Sequence, residues 1–119
     1  PTPEWEAHYA QRVDEILSYA VAHQVKVIWV GLPPMRPARE GTGAKIQNRV
    51  FYSRALHHGT DYISVEALMG PVSLPYKKYV EKEGAEPVSV RAEDGMHFTP
   101  AGLHLIKQAV LDHLESSTR

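Results

Sequence analysis

Apolar positions along this chain fall into a few regular sets. Trp5, Tyr9, Val13, Ile16, Leu17, Ala20 and Val21 recur mostly three and four positions apart, the stripe of an amphipathic helix. Thr2 and Pro3 precede it as a capping residue and a first-turn proline, and Glu4 and Glu6 suit the positive end of the helix dipole. The pattern predicts a helix over 2–24. Val25 to Val30 is a nearly continuous, β-branched apolar run, as in a parallel strand covered on both faces. Gly31-Leu32-Pro33-Pro34 ends it, and 35–43, with Pro37, Gly41 and Gly43, predicts an irregular loop. A weaker stripe of Ile46, Val50 and Leu56, with Phe51 and Ala55 beside it, predicts a second helix over 44–58 that Gly59 stops.

Asp61-Tyr62-Ile63-Ser64-Val65 predicts a second short strand, and helix, strand, helix, strand is the repeat of a parallel α/β sheet. The stretch 66–75 predicts a loop with a turn at Gly70-Pro71. Segments 76–80 and 87–91 flank the charged Glu81–Gly84 and predict a small hairpin or excursion. A last helix over 100–114 should bury Leu103, Ile106, Val110 and Leu114, with 115–119 fraying.

Composition narrows the function classes. The 119 residues, 43% hydrophobic and 23% charged, fit one globular domain at most. The net charge is -1 and the 13 basic residues are scattered, which leaves no electrostatic footprint for nucleic acid. The one adjacent basic pair, Lys77-Lys78, is balanced by Glu81 and Glu83. Without cysteine there is no disulfide, thiolate metal site or Cys nucleophile, and cytoplasm and periplasm both remain open. The longest apolar run, 27–35, is far short of the ~20 residues of a membrane helix, so the chain reads as soluble with no membrane span. Pro1 is an unusual native start, compatible with a removed targeting segment. The seven histidines form no H-x-x-x-H pair. The neighbours His57 and His58 diverge by about 100° on a helix, so no metal and no cofactor is expected. His104 and His113 read as surface or rim residues, Trp5 and Tyr9 as core anchors. Asp14-Glu15 and Glu93-Asp94 are neighbours whose side chains point apart, which leaves no carboxylate pair for acid–base chemistry.

The chemistry concentrates in Glu93-Asp94-Gly95-Met96-His97-Phe98-Thr99-Pro100-Ala101-Gly102. Thr99 and Pro100 form a strong helix start and fix the loop ahead of it. In that loop a carboxylate stands three residues before an imidazole. A carboxylate accepting from Nδ1–H would hold the ring in one tautomer and one orientation, the requirement for a general base. Gly95 eases the bend that brings Asp94 back toward His97. The plainer reading is a turn-forming Asp94 beside a packed His97, and D-x-x-H alone does not choose between them.

The longer string does more. Val27 to Arg36, the strand around Tyr62, and Val90-Arg91-Ala92-Glu93-Asp94-Gly95-Met96-His97-Phe98-Thr99-Pro100-Ala101-Gly102 together resemble the C-terminal half of an SGNH (GDSL-type) hydrolase, in a bacterial branch expected to be periplasmic. The resemblance covers essentially the whole chain. It implies a three-layer αβα, flavodoxin-like fold with a parallel sheet, of which residues 1–119 would be the C-terminal part. It implies Asp94 as the triad aspartate and His97 as the general base. It also implies a Gly-Asp-Ser nucleophile and oxyanion-hole Gly and Asn residues, and these blocks lie N-terminal to the part seen here. This chain has no Gly-Asp-Ser, none of its serines lies in a Gly-x-Ser-x-Gly elbow, and its one Asn, Asn48, falls in a helical stretch.

Two strands covered on both faces also need neighbours for their edges. The expectation is therefore a missing N-terminal segment or a second chain that supplies the serine and the oxyanion hole; a self-contained smaller domain and a swapped dimer stay open. Two functions follow. One is part of a serine esterase acting on a small acyl or carbohydrate ester, such as an O-acetyl group, or transferring the acyl group to a sugar hydroxyl. The other is a non-catalytic, SGNH-like binding or scaffold module of the cell envelope, with Asp94 and His97 a structural pair. A periplasmic or secreted setting follows from the resemblance only.

Overall fold

The computed structural model describes residues 2–69, 76–81 and 83–117, the last of them by its backbone only. Helix α1 (Pro3–Ala22) begins as its sequence dictates: the Thr2 hydroxyl accepts from the Trp5 amide at 3.1 Å, and Pro3 sits where no donor is needed. It ends earlier than 24. The Gln24 amide donates to Val21 O at 3.1 Å and the Val25 amide to Ala20 O at 2.8 Å, with Gln24 itself left-handed at φ 58°. That cap uses the Val25 amide, and strand β1 starts only at Ile28 (Ile28–Val30).

Helix α2 (Ala38–His58) begins six residues before the expected start and takes in Gly41 and Gly43, so the predicted loop is shorter. Gly41 is a packing glycine: an added Cβ would lie 2.9 Å from Met35 O. Gly59, at φ 69°, ends the helix as expected. Strand β2 (Asp61–Ile63) pairs parallel to β1, Ile28 opposite Asp61, Trp29 opposite Tyr62 and Val30 opposite Ile63. Ser64-Val65, expected to extend it, leads into a short helix α3 (Val65–Leu68). Strands β3 (Tyr79–Val80) and β4 (Val88–Ser89) form the antiparallel hairpin. Helix α4 (Pro100–Ser117) runs three residues past the expected end. Gly70-Pro71, Ser73 and the last two residues of the expected fraying tail lie outside the described residues.

The architecture is α/β, a small parallel sheet with helices on both faces. Trp29 and Tyr62, side by side in the register, join a cluster of Val13, Leu17, Val50 and Phe51 from α1 and α2. Val30, the next residue of β1, points the other way and joins Val65, Met69 and Val90, packed by Phe98, Leu105 and Ile106. Polar contacts tie α1 to α2: Arg54 Nε and His58 Nε2 both reach Asp14 Oδ1, at 2.5 and 2.9 Å, and Gln47 donates to the Tyr9 hydroxyl at 3.0 Å. Several packing expectations need correction. Trp5 is 37% exposed and stacks on Tyr9. Ile16 and Val21 of the α1 stripe, Leu56 of α2, and Leu103 and Leu114 of α4 are exposed. Both strands are half-buried instead of covered on both faces. Leu103 is exposed because Gly102 sits against the chain after β4, where a Cβ would lie 2.2 Å from Val90 O. Ile106 packs inward as expected, and Leu105 joins it there in place of Leu103. No helix among the described residues is long and apolar enough to cross a membrane.

Candidate active site

The loop between β4 and α4 is pinched at its base. Arg91 and Phe98 form an antiparallel bridge, the Ala92 amide donates to His97 O at 2.8 Å, and the Thr99 amide to Val90 O at 3.1 Å. Thr99 holds both neighbouring elements. Its hydroxyl accepts from the Gly102 amide at 3.1 Å, capping α4, and donates to Ser89 O at 2.7 Å, pinning the helix start to β4. The backbone from 92 to 97 is thus a closed turn on a rigid base.

Within it the structure brings Asp94 and His97 together. Asp94 Oδ1 accepts the amides of Met96 and His97 at 2.8 and 2.9 Å, and Oδ2 meets His97 Nδ1 at 2.5 Å. The His97 ring bond, followed by those two amides, holds the Asp94 carboxyl well below the usual carboxylate range. An ionised Asp94 can only accept, so Nδ1 is the donor and a neutral ring carries its lone pair on Nε2. Gly95 makes the turn possible at φ 74°; a Cβ there would lie 2.6 Å from the Arg36 Cβ. Asp94 and Glu93 diverge, as expected of neighbours: Glu93 pairs with Lys78.

The loop stands on the chain leaving the carboxyl end of β1, where open α/β sheets place their ligands. The Arg36 amide donates to Gly95 O at 3.0 Å and its guanidinium to Glu93 O at 2.6 Å. Arg91, 1% exposed, spans the same junction, donating to Pro34 O at 2.5 Å and Met96 O at 2.7 Å. The Phe98 ring, 5.1 Å away, stacks on its guanidinium. Burial pushes the Arg91 pKa down from its ordinary value.

A family model for DUF459, described as a protein of unknown function, matches residues 1–113. The chain belongs to the DUF459 family. It matches no curated protein. The stretch shared with the DUF459 model includes Asp94, His97 and the scaffold that holds them, and the family description assigns them no chemistry.

No described serine of this DUF459 chain completes the pair. The hydroxyls of Ser53, Ser89 and Ser116 donate to the carbonyls of Val50, Arg91 and His113, and Ser64 opens α3. Within this chain the His97 side chain stands 80% exposed. Asn48 holds the backbone in place: its side-chain amide accepts from the Leu32 N–H at 2.7 Å and donates to Leu32 O at 2.8 Å, fixing the exit from β1. His113, expected at the surface, bonds Asp61 at 2.8 Å and ties α4 to β2. Among the described residues no group of three His, Asp or Glu side chains could hold a metal ion. Sequence reasoning missed Arg91. Its one signal was a charged residue directly after the alternating Val88-Ser89-Val90, ahead of the motif.

Proposed function

We propose that this chain is the general-base part of an SGNH-type serine esterase, completed by a polypeptide segment that supplies the serine and the oxyanion donors. The observation that carries the reading is the bond that His97 Nδ1 donates to Asp94 Oδ2, on a carboxylate already fixed by two backbone amides. In the completed site Nε2 takes the proton of a serine hydroxyl as its oxygen attacks the ester carbonyl. The imidazolium, stabilised by Asp94, gives that proton to the departing alcohol as the acyl-serine forms. Water, deprotonated by the same Nε2, then releases the acid; a sugar hydroxyl in its place would give acyl transfer. The substrate is an acyl ester, such as an O-acetyl group on a carbohydrate, in a periplasmic or secreted setting, and the full domain is the three-layer αβα fold.

The completing segment, N-terminal sequence of the parent protein or a second chain, would pair the open edge of β1, which no strand pairs among the described residues. The exposed imidazole also fits a second reading, an envelope-binding module in which Asp94 and His97 only shape the loop. Hydrolysis of a small activated acyl ester separates the two. The chain alone should show none above background, since each missing oxyanion donor costs about 10²–10³-fold. Extension by the preceding parent sequence should restore it, His97→Ala should abolish most of it, and Asp94→Asn should lower it by about 10⁴-fold through the wrong tautomer. Activity of the chain alone that survives His97→Ala would overturn the mechanism. An inactive extended domain that binds an envelope polymer would favour the second reading.

A further inference from the structure

A cavity of about 310 Å³ opens between the chain after β1 and the first turns of α2. We propose that it holds an anionic group of the substrate, a carboxylate, phosphate or sulfate. Its walls carry two cations, Arg36 and Lys45, together with Thr42 and Tyr76, and no acidic side chain among the described residues. Neither cation is neutralised by a carboxylate contact among the described residues. The Arg36 guanidinium bonds a backbone carbonyl, that of Glu93, whose own carboxylate is taken by Lys78, and Lys45 forms no ion pair there. The Tyr76 hydroxyl is buried and has no hydrogen-bond partner among the described residues, while its ring lies 6.0 Å from the Arg36 guanidinium and 5.3 Å from that of Arg91. That hydroxyl lies beside Lys45, which has no carboxylate contact among the described residues, and Arg36, which shares the field of the Glu93 carboxylate with Lys78. The pair leaves a surplus of positive charge that oxygen atoms with negative charge would offset. The neighbouring cleft, across Lys45, differs in kind: it is lined by Glu66 as well as Arg49, and so carries both signs.

The cavity shares its wall with the imidazole loop. Arg36 lines it and bonds the carbonyls of Glu93 and Gly95, on either side of Asp94. Pro34 lines it too, and its carbonyl shares the Arg91 guanidinium with that of Met96. An anion bound there would be held in a fixed relation to His97. Resting on the esterase reading, the inference narrows the substrate to esters that carry a negative charge close to the scissile bond.

The experiment is an amide-resolved NMR titration of the chain at low ionic strength with inorganic phosphate, and in parallel with acetate and with sulfate. Saturable shifts should centre on Arg36, Ala38, Gly41, Thr42, Lys45 and Tyr76, and the tightest of the three anions names the chemistry. Lys45→Gln, at an exposed position that does not endanger folding, should weaken binding about tenfold. Lys107→Gln, on α4 and remote from the cavity, should leave it unchanged. Shifts spread over every basic surface without saturation, no shift with any of the three, or unaltered affinity in Lys45→Gln would overturn the inference. The readout needs no hydrolysis. Lost binding would therefore leave the esterase reading standing, whereas a completed domain that binds the anion and hydrolyses nothing would overturn that reading alone.

Discussion

Gly95 meets two local demands at once. Its left-handed backbone lets the chain turn back within four residues, and its missing side chain leaves room for Arg36. Gly95→Ala meets both obstacles, a Cβ at φ 74° and one 2.6 Å from the Arg36 Cβ. It should cost about 1–3 kcal/mol, read as a lowered thermal midpoint, with the His97 ring released from Asp94. This part of the site was legible because it is local: carboxylate, glycine, imidazole and helix cap fall within six consecutive residues. Arg91 was not, because the Pro34 carbonyl it holds lies 57 positions away, and only the fold makes them neighbours. Asn48 and His113 were missed for the same reason, with partners 16 and 52 positions distant.

Among the elements, α2 shows where pattern and packing part. Two glycines and a proline read as a loop, yet the helix starts at Ala38. Gly41 belongs there because the Met35 carbonyl lies where its side chain would be, whereas an added Cβ at Gly43 would meet nothing within 4 Å. Gly43→Ala should therefore stabilise the chain by about 1 kcal/mol in denaturant unfolding, and Gly41→Ala should give no such gain. Equal effects at the two positions would contradict the packing account. The long helices were legible from their stripes and caps. Strand ends were not: the Schellman cap at Gln24 consumes the Val25 amide, and α3 takes over at Val65, both decided by backbone hydrogen bonds that hydropathy does not record.

At the scale of the whole molecule, surface and charge matter most. The accessible surface of 7998 Å² exceeds the about 6,450 Å² expected for 13.3 kDa. The 15.6 Å radius of gyration exceeds the about 13.5 Å expected for this length. Tyr19, Leu56 and Leu103 are among the exposed apolar side chains. Such a surface supports the reading of a domain completed by further polypeptide. Four described carboxyls are held low, and the three bonded to histidine couple the integrity of the fold to pH. Asp94 is held low by His97, and Asp61 is held low chiefly by the His113 bond. Burial pushes Asp14 up, but its bonds to Arg54 and His58 more than reverse that. A carboxyl depressed on folding contributes stability that is full above its unfolded pKa, about 4, and is lost as pH falls through the folded value. The thermal midpoint should therefore drop between about pH 5 and pH 2, and Asp14→Asn should flatten that drop. A midpoint independent of pH over this range would contradict the assignment.

The measurement that bears most directly on the central claim is the tautomer of His97, read from its ring ¹⁵N shifts and one-bond N–H couplings at a pH where the ring is neutral. The proton should sit on Nδ1 and leave Nε2 bare, with Asp94→Asn releasing that preference while the fold persists. A proton on Nε2, or a tautomer unchanged by Asp94→Asn, would contradict a carboxylate that orients this imidazole as a base.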